Sequence, residues 1–132
     1  MSGSPAALVL DSHGVTEAAR GAEVVRALMV EATLSGAPVV VSAVTLAEVL
    51  RGHPRDAAIH LLLKGCRVEP VSREVGREAG DLLGRTGGKD TVDAVVVATA
   101  ATMPGRVVLL TSDPVDLRAL AVDLPAVEIR RV

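Results

Sequence analysis

The chain has 132 residues, 49% of them hydrophobic, with 14 basic against 16 acidic residues for a net charge of −2. That length fits one domain, residues 1–132, with a real core, and the interspersed charges exclude a broad polyanion-binding field. There is no Phe, Tyr or Trp, so the core is aliphatic, and any contact with nucleic acid must use phosphates, Arg planes or a metal in place of aromatic stacking platforms.

A lone Cys66 has no partner for an internal disulfide and is expected to pack at a strand start as a small hydrophobe. Residues 1–7 lack a cationic segment followed by an apolar one, and no apolar run reaches the ~20 residues that span a bilayer. A reduced cytoplasmic setting with no membrane partner is the expectation.

Leu8-Val9-Leu10 reads as a buried first strand, and Asp11-Ser12-His13-Gly14 as the turn after it. Val25, Leu28, Met29 and Ala32 share one helical face, in a segment that stops near Ser35-Gly36. A second strand is expected over Pro38 to Ala43 and a helix over Thr45 to Arg51. Asp56 to Lys64 reads as another helix, Cys66 to Val71 as a strand, and Ser72 opens an amphipathic helix with Val75, Ala79, Leu82 and Leu83 inward. Asp90 to Met103 is apolar nearly all round and predicts a buried helix, although Val95-Val96-Val97 suits a strand equally well. Arg106 to Leu110 follows as a strand, Asp113 to about Leu124 as a helix, and Val127 to Val132 as an edge strand. Alternating strands and helices imply an α/β fold with a mostly parallel sheet flanked by helices on both faces.

Four carboxylates, Asp11, Glu48, Asp93 and Asp113, stand where strands hand over to helices. In open α/β sheets the ligand crevice lies beyond the carboxyl ends of the strands, so acids placed there converge. Converged carboxylates repel, and a hard divalent cation is one remedy, beside protonation or a basic partner. Each acid also has a bland reading. Thr45-Leu46-Ala47-Glu48 has the form of a capping box, Asp113-Pro114 that of an N-cap with Pro behind it, Asp90 or Thr91 caps the next helix, and Asp11 holds a turn. Against this, Asp93 heads a helix with almost no polar face, where a carboxylate is costly unless paired or metal-bound. Taken jointly, the acids point to a metal site.

Other residues rank lower. His13, His53 and His60 lack metal spacing, and the latter two read as surface. Ser12, Ser42, Thr45, Thr111 and Ser112 read as turn and cap hydroxyls, Arg51 as an ordinary helical partner of Glu48, and Gly87-Gly88-Lys89 lacks the spacing of a phosphate-binding loop.

The motifs LVLDS, VSAVTLAEVLRG, DTVDAVVVATA, LLTSDPVDLRAL and LPAVEIRRV, in this order and over essentially the whole chain, resemble those of the PIN-domain ribonucleases, in particular the VapC-type toxins of toxin–antitoxin pairs. The resemblance implies a ribonuclease whose Mg²⁺ or Mn²⁺ is held by Asp11, Glu48, Asp93 and Asp113, with Thr111 at a supporting hydroxyl position; Ser12 lies next to this site, and Asp90 and Asp116 are extra acids whose membership the sequence leaves open. It also implies a homodimer and a VapB-type antitoxin as partner. Two rivals stand beside it. A receiver-type signalling module would want adjacent acids after the first strand and a Lys after the last, whereas Ser12 follows Asp11 and the late basic residues are arginines. A non-catalytic binding domain would use the acids only as caps.

Overall fold

The computed structural model describes residues 3–132. Five strands form one parallel sheet in the order β3-β2-β1-β4-β5: β1 is Ala7–Leu10, β2 Val39–Ser42, β3 Arg67–Glu69, β4 Val107–Thr111 and β5 Val127–Arg131. β1, β2 and β4 are buried along their whole length, as parallel strands covered on both faces must be, and this is why their sequences read as unbroken aliphatic runs.

Side chains alternate between two cores. Val9, Val40, Val107 and Leu109 face the helices α5 (Arg73–Thr86), α6 (Thr91–Ala101) and α7 (Pro114–Leu120). Leu8, Leu10, Val39, Val41, Val108 and Leu110 face α1 (Ser12–Ala19), α2 (Glu23–Leu34) and α4 (Ala57–Leu63). The short α3 (Ala43–Val49) sits at the end of β2, sending Val44 to the first core and Val49 to the second. Cys66 is half-buried in the second core, where desolvation pushes its thiol pKa up.

Burial settles the ambiguous Val95-Val96-Val97 as helix. Ala94 to Ala100 are all buried in α6 between the sheet and α5, and that packing outweighs the small helix cost of β-branched side chains. Several boundaries differ from expectation for local reasons. β3 ends at Glu69 because Pro70 has no N–H to continue the ladder. α7 stops at Leu120, short of Pro125 and the residue before it, which Pro keeps out of helical conformation. Asp11 to Gly14 does not form a turn: α1 begins directly at Ser12, with Asp11 as its N-cap. Gly14 permits this close entry, since a Cβ there would stand 3.2 Å from both Leu10 Cβ and the Leu110 carbonyl oxygen.

The chain reverses its direction of travel across the sheet at β1, which lies between β2 and β4. The crevice expected at such a switch point opens beyond the carboxyl ends of β1 and β4, where Asp11 and Thr111 stand.

Candidate active site

Asp11 is held in place by backbone. Its N–H donates to the Leu110 carbonyl at 3.3 Å, and its Oδ1 accepts the Gly14 N–H at 2.8 Å. The second carboxylate oxygen faces the exposed His13 Nδ1 at 3.4 Å. The cap thus uses one oxygen of this buried carboxylate, and the other faces His13.

Asp93 lies in the first turn of α6, part-buried. Its backbone N–H donates to Asp90 Oδ1 at 2.9 Å, so Asp90 is the cap and Asp93 is not. Its carboxyl pKa is raised from 3.8 to about 6, first by loss of solvent and then by the charges of Asp90, Asp11, Asp116 and Glu48. Acids from α1, α3, α6 and α7 therefore act on one carboxyl group, and no basic side chain figures among the charges that act on it.

Glu48 is exposed and has no ion pair among the described residues. The capping-box reading of Thr45 and Glu48 does not hold. α3 starts at Ala43 with Ser42 as its cap, the Ser42 hydroxyl accepting the Val44 N–H at 3.3 Å, which leaves Glu48 near the other end of the helix. Thr45 is instead a buried helix-interior residue whose Oγ1 has no hydrogen-bond partner among the described residues. A buried hydroxyl left unmet costs about 1–3 kcal/mol. Arg51 does not pair with Glu48 either; its Nη1 donates to the carbonyls of Ala47 and Leu50, both at 2.8 Å, and so closes the end of α3.

The two acids around α7 part ways. Asp113 occupies the N-cap position without a side-chain cap bond, is exposed, and donates its backbone N–H to Thr111 Oγ1 at 3.1 Å. Its charge is not among those raising Asp93, whereas that of Asp116, one turn further on, is. Thr111 is fully buried at the end of β4, and Ser12, half-buried, opens α1. Ser112 is half-buried beside them, while His53 and His60 are exposed.

The donor set is all carboxylate oxygen, which suits a hard divalent cation. The uncompensated charge around Asp93 and the orphaned hydroxyl of Thr45 in the same turn region as Glu48 fit such a group. As the side chains stand, no three His, Cys, Asp or Glu among the described residues are close enough together to ligate one ion. The exposed acids, Glu48 and Asp116, have the rotamer freedom to close the set.

Comparison with known proteins agrees with this architecture. Three solved structures of similar shape are VapBC2 from Rickettsia felis bound to a DNA fragment from its promoter, with TM-score 0.73, 13% identity and coverage of 95% of this chain and 98% of that one; a toxin–antitoxin complex from Klebsiella pneumoniae, with TM-score 0.66, 17% identity and coverage of 92% and 95%; and VapBC-5 from Mycobacterium tuberculosis, with TM-score 0.58, 24% identity and coverage of 97% and 100%. These likenesses show a shared fold. No curated protein matches the sequence. The family model for the PIN domain matches residues 9–122, which runs from within β1 through α7 and includes all the acids above, and the chain belongs to the PIN domain family.

Proposed function

We propose that the chain is a divalent-metal-dependent endoribonuclease of the VapC type, the toxin of a toxin–antitoxin pair, acting in the cytoplasm as a homodimer. The observation that carries this reading is the part-buried Asp93 carboxyl, raised by loss of solvent and by the charges of Asp90, Asp11, Asp116 and Glu48, with no basic residue among the charges acting on it. The toxin–antitoxin assignment rests on the similarity of fold to VapBC2, VapBC-5 and the Klebsiella complex, which supports a VapB-type antitoxin as partner.

Asp11, Glu48 and Asp93 are the residues that would hold Mg²⁺ or Mn²⁺, and the fourth acid comes from the start of α7. There the electrostatics favour Asp116, with Asp113 and Thr111 shaping the turn behind it. A bound divalent cation supplies a polarised water and neutralises charge on the phosphodiester. The protein does the rest by position. The Gly14 and Leu110 backbone groups fix Asp11, Asp90 fixes the start of α6 and with it Asp93, and buried Thr111 ties down the loop that carries the α7 acids. Asp93 is half protonated near pH 6 and must give up that proton to act as a ligand, so loading at mildly acidic pH releases a proton.

The receiver reading does not survive membership of the PIN domain family, and a purely capping role fails for Glu48, Asp93 and Asp116, none of which caps a helix through its side chain. The experiment is incubation of purified, antitoxin-free protein with total cellular RNA in Mg²⁺, Mn²⁺ or EDTA, beside Asp93→Asn. Metal-dependent cleavage lost in the variant is the expected result, and absence of cleavage with either metal would overturn the proposal.

A further inference from the structure

An overall net charge of −2 hides a local excess of cations. A groove of about 460 Å³ between α1 and the loop that follows α3 is lined in part by Arg20, Arg51, His53 and Arg55, and it shares Glu48 with the acid site. All four basic side chains are exposed. We propose that this groove is the track for the RNA backbone running off the acid cluster, a reading that rests on the nuclease assignment above and adds to it the residues that grip the substrate.

The wall is built to hold its shape before any ligand arrives. Asp56 Oδ2 accepts the backbone N–H groups of Arg51, Gly52 and His53 at 2.8, 2.9 and 3.3 Å, and Gly52 takes the left-handed conformation, φ +70°, that this tight loop needs. His53 Nδ1 accepts the Arg55 N–H at 3.2 Å, leaving its other ring nitrogen to donate outward. Asp56 is consumed by these backbone donors, and Glu17 lies 3.7 Å from Arg20 in an exposed, weak pair. Val49, Ala58 and Ile59 also line the groove and Arg51 Nη1 is taken by the Ala47 and Leu50 carbonyls, so the guanidinium groups of Arg20 and Arg55 are the ones left for whatever enters it.

Phosphates are the matching ligand. An RNA strand with one phosphodiester at the acid cluster brings its neighbouring phosphates into repulsion with those acids, and cations placed immediately to one side offset this. With no aromatic residue in the chain, bases have no ring to stack on, so grip must come from backbone contacts and Arg planes.

The test is binding of a fluorescent short oligouridylate to the Asp93→Asn protein in metal-free buffer across about 50 to 200 mM salt. Arg20→Gln and Arg55→Gln should each flatten the slope of log K against log salt by about 0.7, the value for one lost contact to a single strand, and the double variant by about twice that. Arg20→Lys and Arg55→Lys should restore the slope, and Arg73→Gln and Arg77→Gln on α5 should leave it alone. Wild-type slopes in Gln variants whose melting temperatures are unchanged would overturn the inference. Unchanged slopes combined with a lost grip on the antitoxin would overturn it in favour of a polypeptide track. Metal-dependent cleavage by the wild type that persists alongside unchanged slopes would sink the groove and spare the nuclease, whereas oligouridylate binding without any cleavage by the wild type would sink the nuclease.

Discussion

Replacing Asp93 by Asn removes the charge that the fold disfavours most while keeping shape and the backbone bond to Asp90. In the folded chain the Asp93 pKa stands at about 6 against 3.8 for the free side chain, a difference corresponding to about 3 kcal/mol of disfavoured ionisation. Asp93 is only part-buried, so solvent screens much of this and about 1–2 kcal/mol remains. Because the pKa is raised in the folded state, the wild type has its full stability below about pH 4 and loses this increment as pH rises through 6. In EDTA at pH 8, Asp93→Asn should therefore unfold at higher urea than the wild type, by about 1–2 kcal/mol, or about 3–8 °C in melting temperature. The gap should close as the pH is lowered and vanish near pH 4, where both side chains are neutral. Urea titrations at several pH values decide the matter. A variant no more stable than the wild type at pH 8, or a gap that does not change with pH, would refute the claim that burial and the neighbouring acids together disfavour this carboxylate.

Glu48→Gln should leave the metal-free protein unchanged or slightly stabilised, and should shrink the melting-temperature gain on adding Mg²⁺, because a tenfold loss of affinity removes about 1.4 kcal/mol at saturating metal; equal gains in both proteins would take Glu48 out of the site. Between the two acids of α7, Asp116→Asn should reduce metal-dependent cleavage far more than Asp113→Asn, and the reverse order, measured on the same RNA, would restore Asp113 to the set. Asp56→Asn should lower the melting temperature at neutral pH by loosening the loop over residues 51–53. Backbone donors, that of Arg51 foremost, hold the Asp56 pKa below its ordinary value, so the wild type loses this contribution as pH falls below about 4 and the variant has none to lose; melting curves of the two that converge at low pH are the expected outcome.

Most of the fold was legible because parallel strands buried on both faces leave aliphatic runs, and those of β1, β2 and β4 stand out from their flanks. What local pattern missed was decided by tertiary contacts. Asp-Ser-His-Gly has the composition of a turn, yet the Asp11 cap and the contact of Gly14 with the Leu110 carbonyl make it the first turn of α1. The capping-box pattern Thr-x-x-Glu was a false signal, because Ser42, three residues earlier, already starts α3. The site was legible as a set of handover acids, with the choice between Asp113 and Asp116 for the fourth position left to the variants proposed above. Asp113 carries the stronger local motif, Asp-Pro, whereas Asp116, one turn further along α7, has the charge that acts on Asp93. The arginine groove had no sequence signature at all, since α1 and the loop after α3 contribute to it from distant parts of the chain.

The central claim, that carboxylates from separate helices form one metal-dependent centre for cutting RNA, is tested most directly by titrating Mg²⁺ or Mn²⁺ into RNA cleavage by wild type, Asp11→Asn, Asp93→Asn and Asp116→Asn in parallel. Cleavage that rises with metal in the wild type and is largely lost in each variant, all of them still folded, is the predicted result. Cleavage that proceeds in EDTA, or that survives loss of Asp11 and Asp93, would contradict it.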